Sequence, residues 1–181
     1  QPLLLAFGQD GAAAALDELD VGALVAAGWA VAASDLRGQG RHAGVEFDLA
    51  SLGLFLKRHL FAQRAADIRA ALTYFFDRNL MAPRLDRSRI VLAAVDAPTE
   101  LLVSAVATTD VRAAGACAFD RYEEWVDCAT VDPTVPTWAY VPGIASRLTL
   151  SSLRQLPRAA ERCARSELAD WLTTRFGKVD V

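Results

Sequence analysis

Four short segments of the chain are almost entirely apolar, and stretches with a helical period separate them. The segments are PLLLAF at 2–7, WAVAAS at 29–34, IVLAAV at 90–95 and VRAAGACAF at 111–119. A strand that is apolar on both faces is typical of a parallel sheet covered on both sides by helices. The alternation therefore predicts a three-layer α/β fold with a central, mostly parallel sheet, formed as one domain over residues 1–181.

The intervening stretches differ in how clearly they predict helices. The clearest amphipathic pattern spans residues 59–78, and further helices are predicted at 12–27, 98–108, 121–128 and 158–176. Residues 41–56 are mixed and interrupted by glycine, so they are predicted to form a loop with one short helical turn. Residues 130–157 hold four of the seven prolines and are predicted to be irregular.

Composition excludes several classes of function. The formal net charge is −3, with 53% hydrophobic residues, so no broad basic field for nucleic acid is expected. No apolar run is long enough to cross a membrane. Cys117, Cys128 and Cys163 form no CxxC pair, and no cysteine metal site is predicted. The odd cysteine count and the absence of a visible signal peptide favour a cytoplasmic location.

An aspartate follows each of the four predicted strands. They are Asp10, Asp35, Asp96 and Asp120. Carboxyl ends of parallel strands share one edge of the sheet, where ligands bind. Asp10 and Asp96 could hold Mg²⁺ through oxygen ligands or share a proton. The common alternative is that these aspartates shape turns and cap helices.

Three segments resemble the α/β-hydrolase superfamily, and most closely its acetyl xylan esterase and dienelactone-hydrolase-like branch. They are GWAVAASDLRGQGRHAG at 28–44, DIRAALTYFFDRNLMAPRLDRSRIVLAA at 67–94 and YVPGI at 140–144. On this resemblance residues 3–5 match the family's third strand. The resemblance therefore implies an α/β-hydrolase-like core that lacks the first and last strands.

The resemblance also implies a place for the active site. Residues 94–98, Ala-Val-Asp-Ala-Pro, stand where the family has Gly-x-Ser-x-Gly, so Asp96 occupies the nucleophile position. Pro98 replaces the second glycine and disfavours a helical Ala97. The family's oxyanion-hole motif corresponds to residues 7–11. The implied oxyanion or ligand edge consists of Gly8, Gln9, Asp10 and Ala97.

The family's catalytic histidine comes late in the chain, whereas this chain has only His42 and His59. Three hypotheses follow. The preferred one is an esterase-related domain that has lost its triad and acts as a structural or interaction subunit, with another protein chain or a second copy as partner. The second is an active hydrolase of small carboxylic esters that uses Asp96 with His42. The third is a metal or small-ligand binder at the Asp10/Asp96 edge. None of them implies a cofactor.

The end of the chain offers two candidate surfaces. Four arginines fall close to one side of the predicted last helical region, which indicates a solvated or partner-binding face: Arg154, Arg158, Arg162 and Arg165. Residues 122–142 carry four aromatic residues among prolines, which is typical of a lid, a packed loop or an interface.

Overall fold

The structure is a computed structural model that describes residues 1–77, 85–120 and 149–178. The helix predicted at 121–128, the aromatic-rich segment at 122–142 and the YVPGI segment lie outside the described residues. The predictions made for them stay predictions.

Five parallel strands form one central sheet. They are β1 (Leu3–Phe7), β2 (Ala30–Ala33), β3 (Ile90–Ala94), β4 (Gly115–Ala118) and β5 (Glu161–Arg162). Their order across the sheet is β2-β1-β3-β4-β5, and every neighbouring pair is parallel. All residues of β1, β3 and β4 are buried, as expected for apolar strands covered on both faces.

Helices cover both faces of the sheet. They are α1 (Ala12–Asp17), α2 (Val21–Ala26), α3 (Glu46–Phe55), α4 (Leu60–Asp77), α5 (Ala97–Thr109), α6 (Leu150–Arg154) and α7 (Leu168–Phe176). One hydrophobic cluster joins the sheet to α3, α4 and α5. A second cluster joins the opposite face to α1, α2 and α7. The predicted three-layer α/β fold is confirmed.

Two predictions for the first part of the chain are wrong. The single helix expected at 12–27 is broken into α1 and α2, because Asp20 caps α2 by accepting a 2.9 Å hydrogen bond from the Ala23 amide. The loop expected at 41–56 contains the ten-residue helix α3. This helix packs against α4, so tertiary contact decides a stretch that its own sequence leaves ambiguous.

The helix predicted at 158–176 is also wrong in its first half. Glu161 and Arg162 pair with Cys117 and Ala118 of β4, and α7 begins only at Leu168. The four arginines therefore do not share one helical face. The sheet also has one short strand more than the four predicted.

The helices are short or polar compared with a helix that crosses a bilayer. Within the described parts of the chain, none has both the length and the apolarity that crossing a membrane requires.

Candidate functional site

The strand order places a crevice between β1 and β3. The chain leaves β1 towards β2 on one side and later enters β3 on the other, so the loops after β1 and β3 diverge there. Ligands of doubly wound α/β proteins bind at this point, outside the carboxyl ends of the strands. The loop at residues 8–11 and the turn at Asp96, both predicted as site elements, meet at this crevice.

Both carboxylate oxygens of Asp96 accept backbone hydrogen bonds. Oδ1 accepts one from the Thr99 amide at 2.8 Å, so Asp96 is the N-cap of α5. Oδ2 accepts one from the Gln9 amide at 2.6 Å, across the crevice. Ala97 begins the helix although Pro98 follows it, because a proline fits the first turn, where no intrahelical N–H bond is lost. The expected departure of Ala97 from helical geometry is therefore wrong.

The electrostatic setting of Asp96 combines opposing effects. Burial raises the pKa of this carboxyl above its usual value, while the hydrogen bonds from Thr99 and Gln9 act in the opposite direction. The charge of Asp10 raises the pKa further, so the two predicted site carboxylates do lie within electrostatic reach of each other. Asp10 itself is exposed to solvent.

Gly8 permits the close approach of the β1 loop to the end of β3. A Cβ atom at Gly8 would lie 2.7 Å from Val95 Cγ2 and 3.4 Å from Asp96 Oδ2. The first distance is too short for two carbon atoms. A side chain here would push the loop away from Asp96 and lengthen the bond to the Gln9 amide.

Asp35 holds the other end of the same loop. Its Oδ1 accepts a 2.7 Å hydrogen bond from the Ala12 amide. A Cβ atom at Gly40 would lie 2.3 Å from the Asp35 carboxylate oxygens, and one at Gly11 would lie 2.7 Å from Oδ1. Both glycines also have positive φ, of 52° and 96°. Asp35 is thus a packed structural carboxylate.

Arg37 pairs with the carboxylate of Asp67 in α4 rather than with that of Asp35, which lies two residues before it. Its Nε donates to Asp67 Oδ2 at 2.8 Å, its Nη2 pairs with Oδ1 of the same residue, and its Nη1 donates to Gln63 Oε1 at 2.8 Å. The segment after β2 is therefore fastened to α4.

Arg165 is a further charged group at the carboxyl edge, although the sequence predicted it on a solvated or partner-binding helical face. It donates to the Val95 carbonyl at 3.4 Å and to Asp120 Oδ2 at 3.3 Å, and it pairs with Glu18. Its guanidinium carbon lies 5.6 Å from the centroid of the Phe119 ring. Arg165 thus ties the turn after β5 to β3 and β4.

The sequence did not predict a buried polar cluster on α5. Glu100 and Ser104 are fully buried, and Glu100 pairs with Arg154 at 3.4 Å. The Ser104 hydroxyl contacts Glu100 at 3.3 Å and accepts from the Ala160 amide at 3.1 Å. A signal for it was present in the sequence: Glu100 and Ser104 lie four positions apart in the otherwise apolar stretch at 100–107.

The remaining predicted groups come together only in part. His42 lies in a 3₁₀ turn at Gly40–His42, and its pairing with Asp96 stays a prediction. Gly8 and Gln9 approach Asp96 across the crevice, and Ala97 follows it at the start of α5. The role of these residues and of Asp10 as an oxyanion or ligand edge stays a prediction. Within the described residues, no group of three or more His, Cys, Asp or Glu side chains is placed to hold a metal ion.

An open groove with a volume of about 710 Å³ lies beside the carboxyl end of β2. One wall is α4, through Ala70, Ala71 and Tyr74, and the other wall is the segment that continues β2, through Ser34 and Leu36. Asp35, Arg37 and Asp67 also line it. The groove is separate from the Asp96 crevice, because none of its lining residues belongs to the loops after β1 and β3.

No family model, curated protein or solved structure matches the chain. The resemblance to α/β-hydrolases therefore stays a prediction.

Proposed function

We propose that the chain is an α/β-hydrolase-related domain that does not hydrolyse esters and acts as a structural or interaction subunit. The observation that carries this proposal is the state of Asp96, whose two carboxylate oxygens accept hydrogen bonds from the Gln9 and Thr99 amides. A carboxylate held in this way serves as a helix cap and as a bridge between β1 and β3.

Ester hydrolysis needs a nucleophile with a free lone pair, a base, and donors for the developing oxyanion. The Gln9 amide belongs to the segment that the resemblance assigns to the oxyanion hole. Here that amide donates to Asp96 at 2.6 Å. The hydrogen bond from the Gln9 amide to Asp96 thus occupies the side chain at the nucleophile position. It also occupies an N–H donor that an oxyanion would need.

The interaction role is supported by the exposed apolar side chains of α3 and its C-terminal end. Phe55 is 88% exposed, Leu56 is 59% exposed and Leu52 is 55% exposed. Single exposed apolar residues are common, but three within five positions form a patch that a partner would cover.

An assay on a chromogenic acetate ester tests the proposal. We expect the wild-type chain to hydrolyse the ester no faster than Asp96→Asn and His42→Ala variants at equal concentration. Asp20→Asn is the matched control, since Asp20 also caps a helix but lies away from the crevice. Hydrolysis by the wild type and by Asp20→Asn, lost in either of the other two variants, would contradict the proposal and support the ester hydrolase that uses Asp96 and His42.

A Mg²⁺ titration tests the alternative of a metal binder, which the electrostatic influence of Asp10 on Asp96 favours. A metal that binds only the native state must raise the melting temperature by mass action. We expect no rise at millimolar Mg²⁺, because both oxygens of Asp96 already accept hydrogen bonds. A rise that Asp10→Asn abolishes would instead support the metal binder.

A further inference from the structure

β2 is an edge strand whose outer hydrogen-bonding groups have no partner among the described residues. In a parallel ladder, the N–H and C=O of one residue face one neighbouring strand, and those of the next residue face the other side. The Ala30 amide donates to Pro2 on the β1 side at 2.9 Å. Ala30 and Ala32 therefore face β1, while Val31 and Ala33 direct their N–H and C=O groups outward.

The residues of β2 themselves carry no charge and no proline, two of the features that usually prevent pairing at an edge. Natural edge strands are protected by lysine, proline, a bulge or a covering element. β2 has the sequence AVAA, with no charged residue and no proline. Each of its four residues is half-buried, in contrast to the fully buried residues of β1 and β3.

Both sides of this edge are apolar. Ala30 and Ala32 pack with the cluster that contains α4, and Val31 packs with the cluster that contains α2. Ala33 packs with this second cluster as well. At the carboxyl end of β2, Ala70 and Ala71 of α4 line the open groove. A strand added here would lie beside a strand whose side chains meet apolar clusters on both faces of the sheet, so apolar residues suit both of its faces.

The groove also has a surplus of negative charge. It contains the carboxylates of Asp35 and Asp67 and one guanidinium, that of Arg37. Arg37 is engaged with Asp67 and Gln63. Charge complementarity at this end therefore favours an occupant with a lysine or arginine next to its apolar residues.

We propose that the outer edge of β2 accepts a strand from a partner polypeptide: a segment of about four residues, apolar at every position, with a basic residue at the end beside Asp35 and Asp67. Main-chain hydrogen bonds to Val31 and Ala33 hold it, as in other complexes formed by strand addition. An amphipathic strand would suit an edge with one face open to water. This edge instead requires a strand that is apolar on both faces. The proposal rests on the interaction role proposed above and is independent of the hydrolase resemblance.

Peptide binding to the full chain tests the inference. The probe is a labelled hexapeptide with four alternating valine and isoleucine residues between two lysines, followed by fluorescence anisotropy. We expect saturable binding that weakens at least about tenfold when alternate amides of the peptide are N-methylated, because two main-chain hydrogen bonds are lost. Serine at every second apolar position should weaken binding as well. Glutamate in place of both lysines should weaken it most at low salt, since salt screens exposed charges.

Ala33→Pro in the protein removes one outward N–H while leaving the ladder to β1 intact, and proline is tolerated at such edge positions. We expect it to weaken binding at least about tenfold, whereas Ala33→Val, which keeps the N–H, should bind like the wild type. If Ala33→Pro does not fold, the N-methylated peptide with the wild-type chain gives the same test.

Three results would overturn the inference: no saturable binding of the lysine peptide, equal binding of the N-methylated peptide, or equal binding by a folded Ala33→Pro variant. Self-association of the chain, measured by sedimentation and abolished by Ala33→Pro, would assign the edge to a second copy instead and would also overturn it. Ester hydrolysis by the wild type would contradict the proposed loss of catalysis, while the peptide data would still decide the role of β2.

Discussion

Asp96 and Asp35 hold the same loop from two sides, but their surroundings differ. Asp96 bridges β3 to the Gln9 amide and also caps α5, whereas Asp35 bonds the Ala12 amide and sits against Gly11 and Gly40. Hydrogen bonding dominates at the first carboxylate and tight packing at the second. The comparison teaches that two aspartates at strand ends, equivalent in sequence, stabilise one loop through different physical means.

Gly40→Ala should have the largest effect, because the new Cβ would lie 2.3 Å from the Asp35 oxygens and the backbone has φ of 52°. Displacing the carboxylate and adding left-handed strain should cost about 2–4 kcal/mol in the free energy of unfolding. Gly44→Ala is the matched control, since its φ is 95° but nothing lies within 4 Å of the new atom. It should cost about 1–2 kcal/mol from backbone strain alone. Equal losses in urea unfolding would show that packing against Asp35 contributes nothing.

Asp96→Ala should rank next, at about 2–3 kcal/mol, because two partly buried amides lose their acceptor. Asp35→Ala removes the acceptor of only one amide and should cost about 1–2 kcal/mol. Asp20→Ala removes an exposed cap and should cost about 1 kcal/mol. Chemical denaturation of the three variants measures the order. A smaller loss for Asp96→Ala than for Asp20→Ala would argue against the bridging role of Asp96.

The contribution of Asp96 to stability should decrease as the pH rises. Burial raises the pKa of Asp96 in the folded state above its unfolded value, so the folded chain binds this proton more tightly. Its stabilising contribution is then fully present below the unfolded pKa and is lost as pH rises through the folded pKa. The free energy of unfolding of the wild type, relative to Asp96→Asn, should therefore fall between about pH 4 and neutrality. A rise over this range would mean that the hydrogen bonds outweigh burial.

Asp10→Asn should have the smallest effect. Removing the Asp10 charge lowers the pKa of Asp96, since that charge is the last of the influences that raise it. The free energy of unfolding of Asp10→Asn, relative to the Asp10→Asn/Asp96→Asn double variant, should fall less steeply with pH than that of the wild type relative to Asp96→Asn. The free energy of unfolding at neutral pH should change little. An unchanged pH profile would show that the two carboxylates do not interact.

Much of the fold could be predicted from the sequence because burial on both faces leaves a direct signal. The strands at 2–7 and 90–95 and the helix at 59–78 lie within two residues of their predicted bounds. β5 could not be predicted, since Glu161 and Arg162 are exposed and charged. They form a strand because the outer edge of β4 offers hydrogen-bonding groups to the passing chain.

The candidate site was predictable in its location but not in its contacts. An aspartate after each strand indicates the carboxyl edge, and the loop after β1 does meet Asp96 there through Gly8 and Gln9. The Gln9 amide that bonds Asp96 is 87 residues away in sequence, so no local pattern reports it. The same holds for Arg165, whose contacts with Val95 and Glu18 depend on where the turn after β5 falls.

The sequence by itself determined the layers: apolar strands need cover on both faces, and the helical stretches between them provide it. Only the tertiary structure decided what the aspartates do, because a carboxylate is free or engaged according to which distant amides approach it. It also decided that β2 lies at the edge of the sheet formed by the described strands, since strand order depends on how the layers pack and not on the strand's own residues. The outward groups of Val31 and Ala33 follow from that order.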